Sequence, residues 1–125
     1  MTKAAPLSSK TGPVNATDAG FNDMLERAGT RPVLVDFWAD WCMPCRMMAP
    51  VLDDVARTLG DDVVIAKLDT ERHPGVPRAL GIRALPTLVL FQNKRVVDVF
   101  VGMRSKPDLV RALKGYVEKA KKAAA

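Results

Sequence analysis

Apolar positions along the chain fall into two alternating rhythms. Phe21, Met24, Leu25 and Ala28 recur at helical spacing, which predicts a helix over residues 18–28. Thr17 or Asp18 can cap it, and Gly29 stops it. Pro32 then leads into Val33-Leu34-Val35-Asp36-Phe37-Trp38, a short apolar run that suits a strand buried on both faces. Met48, Val51, Leu52, Val55 and Leu59 return to helical spacing. They predict a helix from about residue 44 to 59, ended by Gly60 and kinked at Pro50. Residues 63–68 read as another buried strand. Strand, helix and strand at this spacing form a right-handed unit with parallel strands.

The second half reads as a short helix at 76–80, a strand at 87–91, a turn at 92–94 and a strand at 96–101. Gly102 breaks that strand. A last helix begins near Ser105 with Pro107 in its first turn, and Leu109, Val110, Leu113, Tyr116 and Val117 form its apolar stripe. Residues 1–16 are rich in Ser, Thr, Lys, Gly and Pro and read as a loose leader, with a short edge strand near 12–16. The expected organisation is one domain over 17–120 and a frayed tail at 121–125. The class is α/β: a mixed sheet of four to five strands with helices on both faces.

Composition narrows this picture only slightly. The 125 residues are 48% hydrophobic and 26% charged, ordinary for a globular chain with one core. The net charge of +5 biases encounters toward acidic partners. The only dense basic group, Lys114, Lys119, Lys121 and Lys122, ends the last helix, where cations complement the helix dipole. Neither nucleic acid nor a membrane is expected as a partner. The opening residues carry no apolar h-region, so a cytoplasmic location is expected.

The chemistry centres on Cys42-Met43-Pro44-Cys45, which holds both cysteines of the chain. A bridge this short constrains little of the unfolded chain, so stapling explains it poorly. Zinc normally needs four ligands, and His73 is the only histidine, so no metal is expected. His73 reads as a solvated loop residue. Cys42 falls where a buried strand gives way to a helix, beyond the carboxyl edge of the sheet. Unpaired N–H groups and the helix dipole there stabilise a thiolate, the species that attacks a disulfide. Arg46 adds a cation. Cys45 lies one helical turn on, close enough to bridge. Cys42 can thus attack and Cys45 resolve. Pro44 fits the first turn, where its missing N–H costs nothing.

Asp36 is the second chemical clue. A carboxylate among Val33, Leu34, Val35 and Phe37 acquires a raised pKa if buried, which suits a proton acceptor for Cys45. Lys67, in the neighbouring strand, is a plausible partner. The residues alone leave open a second reading, of two structural or edge-exposed charges.

Val35-Asp36-Phe37-Trp38-Ala39-Asp40-Trp41-Cys42-Met43-Pro44-Cys45 closely resembles the active-site segment of the bacterial thioredoxin family. Ala49-Pro50, Lys67-Leu68-Asp69, Gly81-Ile82-Arg83-Ala84-Leu85-Pro86-Thr87 and Phe100-Val101-Gly102 extend the likeness over roughly residues 21–117. The resemblance implies the thioredoxin fold. It implies a protein disulfide reductase and electron carrier that binds no cofactor and is recharged with NADPH electrons by a thioredoxin reductase. Cys42 resembles the attacking and Cys45 the resolving cysteine, with Asp36 and Lys67 as the buried acid and lysine. Trp41 borders the active site. Pro86 would be cis, presenting the backbone of Leu85 to an extended substrate peptide. A monomer acting on disulfide-containing proteins is expected.

Two positions depart from the family's usual pattern. Met43 stands where Gly is commonest, and Met103 follows Gly102 where a small residue is usual. With Pro44, Ala84, Leu85, Pro86 and Val101 they would flank the substrate groove, giving a rim that adapts to varied apolar partners. Two other functions remain in play. An oxidase or isomerase of an oxidising compartment would need export, against the absence of an apolar leader. A non-catalytic thioredoxin-fold subunit would not need the pair Cys42/Cys45 with Asp36 and Pro86.

Overall fold

In the computed structural model, which describes residues 7–124, the chain runs β1 (Val14–Asn15), α1 (Phe21–Ala28), β2 (Val33–Trp38), α2 (Met43–Leu59), β3 (Val64–Asp69), α3 (Gly75–Leu80), β4 (Thr87–Gln92), β5 (Arg95–Val101) and α4 (Lys106–Ala124), with a 3-10 turn at Gly60–Asp62 after α2. The strands form one sheet in the order β1-β3-β2-β4-β5. β1, β3 and β2 are parallel, and β4 and β5 run antiparallel to their neighbours. This is the thioredoxin fold: a five-stranded mixed sheet between helices, as the hydrophobic rhythm predicts.

Alternation along the strands splits the core in two. Val33, Val35 and Phe37 join Phe21, Met24 and Leu25 of α1 on one face. Leu34, Ile65, Leu88 and Leu90 face Met48 and Leu52 of α2 and Leu109 and Leu113 of α4 on the other. Asp36 shares the parity of Leu34, so it points toward the face that α2 covers. β2 is central and its first five residues are buried.

The helix predicted from residue 18 starts at Phe21. Asp18 does not cap α1. Its carboxylate accepts hydrogen bonds from the Gly75 and Val76 N–H groups of α3, both at 2.8 Å. Thr17 Oγ1 instead accepts from Gly20 N. These bonds fix the turn before α1 to a distant helix, a partner that local spacing does not reveal.

The loose-leader reading of residues 1–16 is corrected over its described part. Leu7 is buried in the α1-side core. Ser9 is fully buried, and its Oγ accepts a 2.9 Å hydrogen bond from Ile65 N. Arg31 Nη1 donates to the Leu7 carbonyl. β1 pairs only with Ala66 and Lys67, so Ser9 satisfies a β3 amide that the short strand does not reach. The leader reading of residues 1–6 lies outside the described residues. The tail expected at 121 is helical through Ala124, and Ala125 lies outside the described residues. α2 runs unbroken through Pro50, whose missing N–H leaves the Arg46 carbonyl without its helical donor.

Candidate active site

Three segments meet at the carboxyl end of β2. Phe37 pairs with Thr87, the first residue of β4. Thr87 pairs with Val101, the last residue of β5. From the same end of β2 the chain passes through Ala39, Asp40 and Trp41 into α2.

Cys42 is the N-cap of α2, with extended backbone, and its Sγ accepts a 3.2 Å hydrogen bond from Cys45 N. The pair is disulfide-bonded, with Cα atoms 5.3 Å apart. Met43 and Pro44 occupy the first turn, so the proline removes an amide that would have had no helical acceptor. Both cysteines are buried, and exposure does not tell them apart. Position does: only Cys42 sits at the helix cap, where a developing thiolate meets a backbone N–H and the positive end of the dipole.

Asp36 lies in β2 directly across from Lys67 in β3. It is fully buried, and neither carboxylate oxygen has a hydrogen-bond partner among the described residues. Burial pushes its pKa up from the ordinary carboxylate value to about 7, against an attraction from Lys67 that pulls it down. The Lys67 ammonium lies 4.8 Å from the centre of the Trp38 ring, a cation–π contact. Lys67 also lines an open polar cavity of about 480 Å³ with Asp40, Asp69 and Arg72.

The Leu85–Pro86 peptide bond is cis. Two hydrogen bonds hold its loop. Thr87 Oγ1 donates to the Ala84 carbonyl at 2.6 Å, and Gly102 N donates to the Pro86 carbonyl at 2.9 Å. Gly102 has φ +89°, a conformation that a side chain would strain. Ala84, Leu85, Pro86, Val101, Gly102 and Met103 are thus drawn to one end of the sheet. Ala84, Val101 and Met103 are exposed, whereas Leu85 is half-buried against the α1-side core and Pro86 is buried. Trp41 is 70% and Met43 62% exposed.

Several residues here escaped sequence reasoning. Glu71 accepts a 2.7 Å hydrogen bond from Trp41 Nε1, fixing the indole beside the cysteines. Arg104 Nη1 donates to the Val101 and Met103 carbonyls. Met47 is exposed one turn after Met43, so the i, i+4 spacing places it on the same helix face. That spacing was the available signal; the Glu71 and Arg104 contacts leave none. His73 is half-buried rather than solvated, and its Nδ1 accepts from Asp18 N. No cluster of three or more His, Cys, Asp or Glu that could hold a metal occurs among the described residues. None of their helices is long and apolar enough to cross a membrane.

The thioredoxin family model matches residues 12–115. Thioredoxin of Mycobacterium tuberculosis is 41% identical over 111 residues, covering 88% of this chain and 94% of that one. Thioredoxin of Alicyclobacillus acidocaldarius is 46% identical over 93 residues, covering 74% and 87%. Among solved structures, a mutant thioredoxin from Halobacterium salinarum NRC-1 superimposes with a TM-score of 0.78 at 31% identity, covering 93% of this chain and 96% of that one.

Proposed function

The chain belongs to the thioredoxin family, and from that premise we propose how its residues divide the work of disulfide reduction. The chain is a protein disulfide reductase whose redox pair is Cys42–Cys45. The family needs no bound cofactor. In the reduced protein, the Cys42 thiolate attacks one sulfur of a substrate disulfide. The first substrate thiolate leaves and takes up a proton. Cys45 gives its proton to Asp36 and attacks the Cys42 sulfur, which expels the second substrate thiolate; that thiolate takes up a proton from solvent and Asp36 releases the one it received. The substrate gains two electrons and two protons, and the pair ends as the Cys42–Cys45 disulfide. Lys67 tunes the acidity of Asp36. Trp41, Met43, Pro44, Ala84, Leu85, Pro86, Val101, Gly102 and Met103 receive the substrate segment, with the Leu85 backbone as its pairing edge.

The observation that carries this reading is the hydrogen bond from Cys45 N to Cys42 Sγ at the helix cap. It favours Cys42 as the first nucleophile. We further infer that a thioredoxin reductase using NADPH recharges the pair, that the protein works as a monomer, and that it acts in the cytoplasm.

Cysteine variants test the division. Cys45→Ser is expected to accumulate a mixed disulfide with a protein substrate through Cys42, and Cys42→Ser to accumulate none. The reverse pattern would overturn the assignment. Turnover of a protein disulfide with NADPH and a thioredoxin reductase tests the electron source. A strongly oxidising potential without such turnover would instead favour the oxidase reading.

A further inference from the structure

An apolar trough leads away from the active-site end of the sheet. It has a volume of about 300 Å³, and Leu80, Ile82, Val96, Val99 and Val101 line it together with Arg83. Its floor is the face of β4 and β5 that the helices leave bare. The register shows why. Val89 pairs with Val99 and Phe91 with Val96, so these valines share the parity of the α1-side core. α1 covers the sheet above Phe91, where the Phe21 and Phe91 rings meet edge to face at 5.4 Å. Beyond it this face of β5 is bordered by residues 80–84 and is otherwise left open. Val96, Val99 and Val101 are left 46%, 49% and 58% exposed. A strand that alternated only to bury one face would place polar residues there.

Two features say what covers this face. First, the trough is continuous with the substrate groove: Ala84 and Val101 belong to both. From Val101 to Val96 the valine floor extends about 17 Å, the length of about five extended residues. β5 is also the last strand of the sheet, so one side of its backbone has no strand partner. Second, Arg83 is the only charged residue of the lining, and it has no acidic partner among the described residues.

We propose that this trough is a distal subsite for the substrate polypeptide. It takes the extended, apolar segment that flanks the reacting cysteine, with an acidic side chain of that segment opposite Arg83. The inference rests on the reductase reading of the Cys42–Cys45 site and adds a substrate class to it. Preferred substrates carry several aliphatic residues followed or preceded by an acid near the disulfide. Globular proteins with their disulfide in a tight polar loop engage only the Cys42 end.

A nested peptide series tests the subsite. Each peptide carries one cysteine in a mixed disulfide, with a flank of no residues, three or six, either Val/Leu-rich with one Asp or Ser-rich. With the wild-type protein, the longest apolar flank is expected to raise kcat/KM by about tenfold over the shortest peptide, the size expected of one partly buried aliphatic side chain. The Ser-rich flank gives no gain. In Val96→Ser/Val99→Ser the gain disappears while the shortest peptide reacts at the wild-type rate. These are exposed positions, so the fold tolerates the change. Replacing Asp by Lys in the flank lowers the rate with wild type and not with Arg83→Ala.

A rate independent of flank length overturns the subsite but leaves the reductase reading intact. Failure of even the shortest peptide would overturn that reading, and the subsite with it. Concentration-dependent dimerisation abolished by the same double substitution would assign the trough to a second copy of the chain and overturn the substrate assignment.

Discussion

Asp36 and Lys67 stand opposite each other in the parallel pairing of β2 with β3, and no hydrogen bond joins their side chains. The lysine lies over the Trp38 ring and acts on the carboxylate only through its charge. Removal from water therefore outweighs the nearby cation, and the acid titrates at about 7 instead of 3.8. A carboxylate held in this way takes and releases a proton at neutral pH, as a thiol exchange at Cys45 requires.

The raised pKa carries a cost in stability with a definite sign. Below pH 3.8, the ordinary value, the acid is protonated in both the folded and unfolded chain and carries no penalty. From 3.8 to about 7 the unfolded chain ionises first, so stability falls as pH rises. Above about 7 the penalty is constant, on the order of a few kcal/mol. Asp36→Asn is expected to be more stable than wild type at pH 8 and equal to it near pH 3. Denaturant unfolding at both values measures this. The same variant should slow resolution of the mixed disulfide at pH 7 on the order of a hundredfold, the lower end of the range for a positioned base.

Lys67→Met removes the attraction that lowers the Asp36 pKa, so that pKa should rise further. The pH profile of mixed-disulfide resolution is expected to move to higher pH in this variant, and to lose its inflection near neutrality in Asp36→Asn. An unmoved profile in Lys67→Met would show that the lysine has no electrostatic part in the reaction.

Ser9→Ala tests the docked segment before β1. It removes the acceptor of the buried Ile65 N–H, and an unsatisfied buried amide costs about 1–3 kcal/mol. A fall of that size in unfolding free energy is expected, read from the denaturant midpoint at unchanged slope. A change within experimental error would show that Ser9 is not needed to close β3.

That segment marks the boundary of what the sequence reveals. Apolar rhythm exposes the strands and helices of residues 21–117 because each buries a face, and burial leaves a period. Residues 7–16 dock by isolated contacts, among them the Ser9 hydroxyl, the Arg31 bond to the Leu7 carbonyl, the Ser8 bond to Asp61, the buried Leu7 and a two-residue strand, which together leave no period. Asp18 misleads for a related reason. It has the chemistry of a helix cap and stands before a helix, yet caps a different one 57 residues away. At the active site, Cys42 and Cys45 are legible from their spacing where a strand gives way to a helix, and Asp36 because a carboxylate is out of place in an apolar run. Glu71 and Arg104 are ordinary surface charges in the sequence, and only the fold brings Glu71 to Trp41 and turns the Arg104 side chain back onto the Val101 and Met103 carbonyls.

Met43 and Met103 give the last prediction. Both are exposed, and Met47 extends the Met43 face along α2. An unbranched thioether reshapes itself to an apolar partner at low cost. Gly at position 43 and Ala at 103 would remove that contact. Met43→Gly/Met103→Ala is therefore expected to lower kcat/KM on protein disulfides by about threefold to tenfold, as for the loss of one or two partly buried apolar contacts. The loss should be largest for substrates with aliphatic residues beside the cysteine and smallest for polar loops. It should appear mainly in KM, because the methionines are asked to bind the chain and not to move a proton. Rates on a panel of protein disulfides measure it. Equal rates for the variant and wild type on every substrate would reduce the two methionines to surface residues without a part in docking.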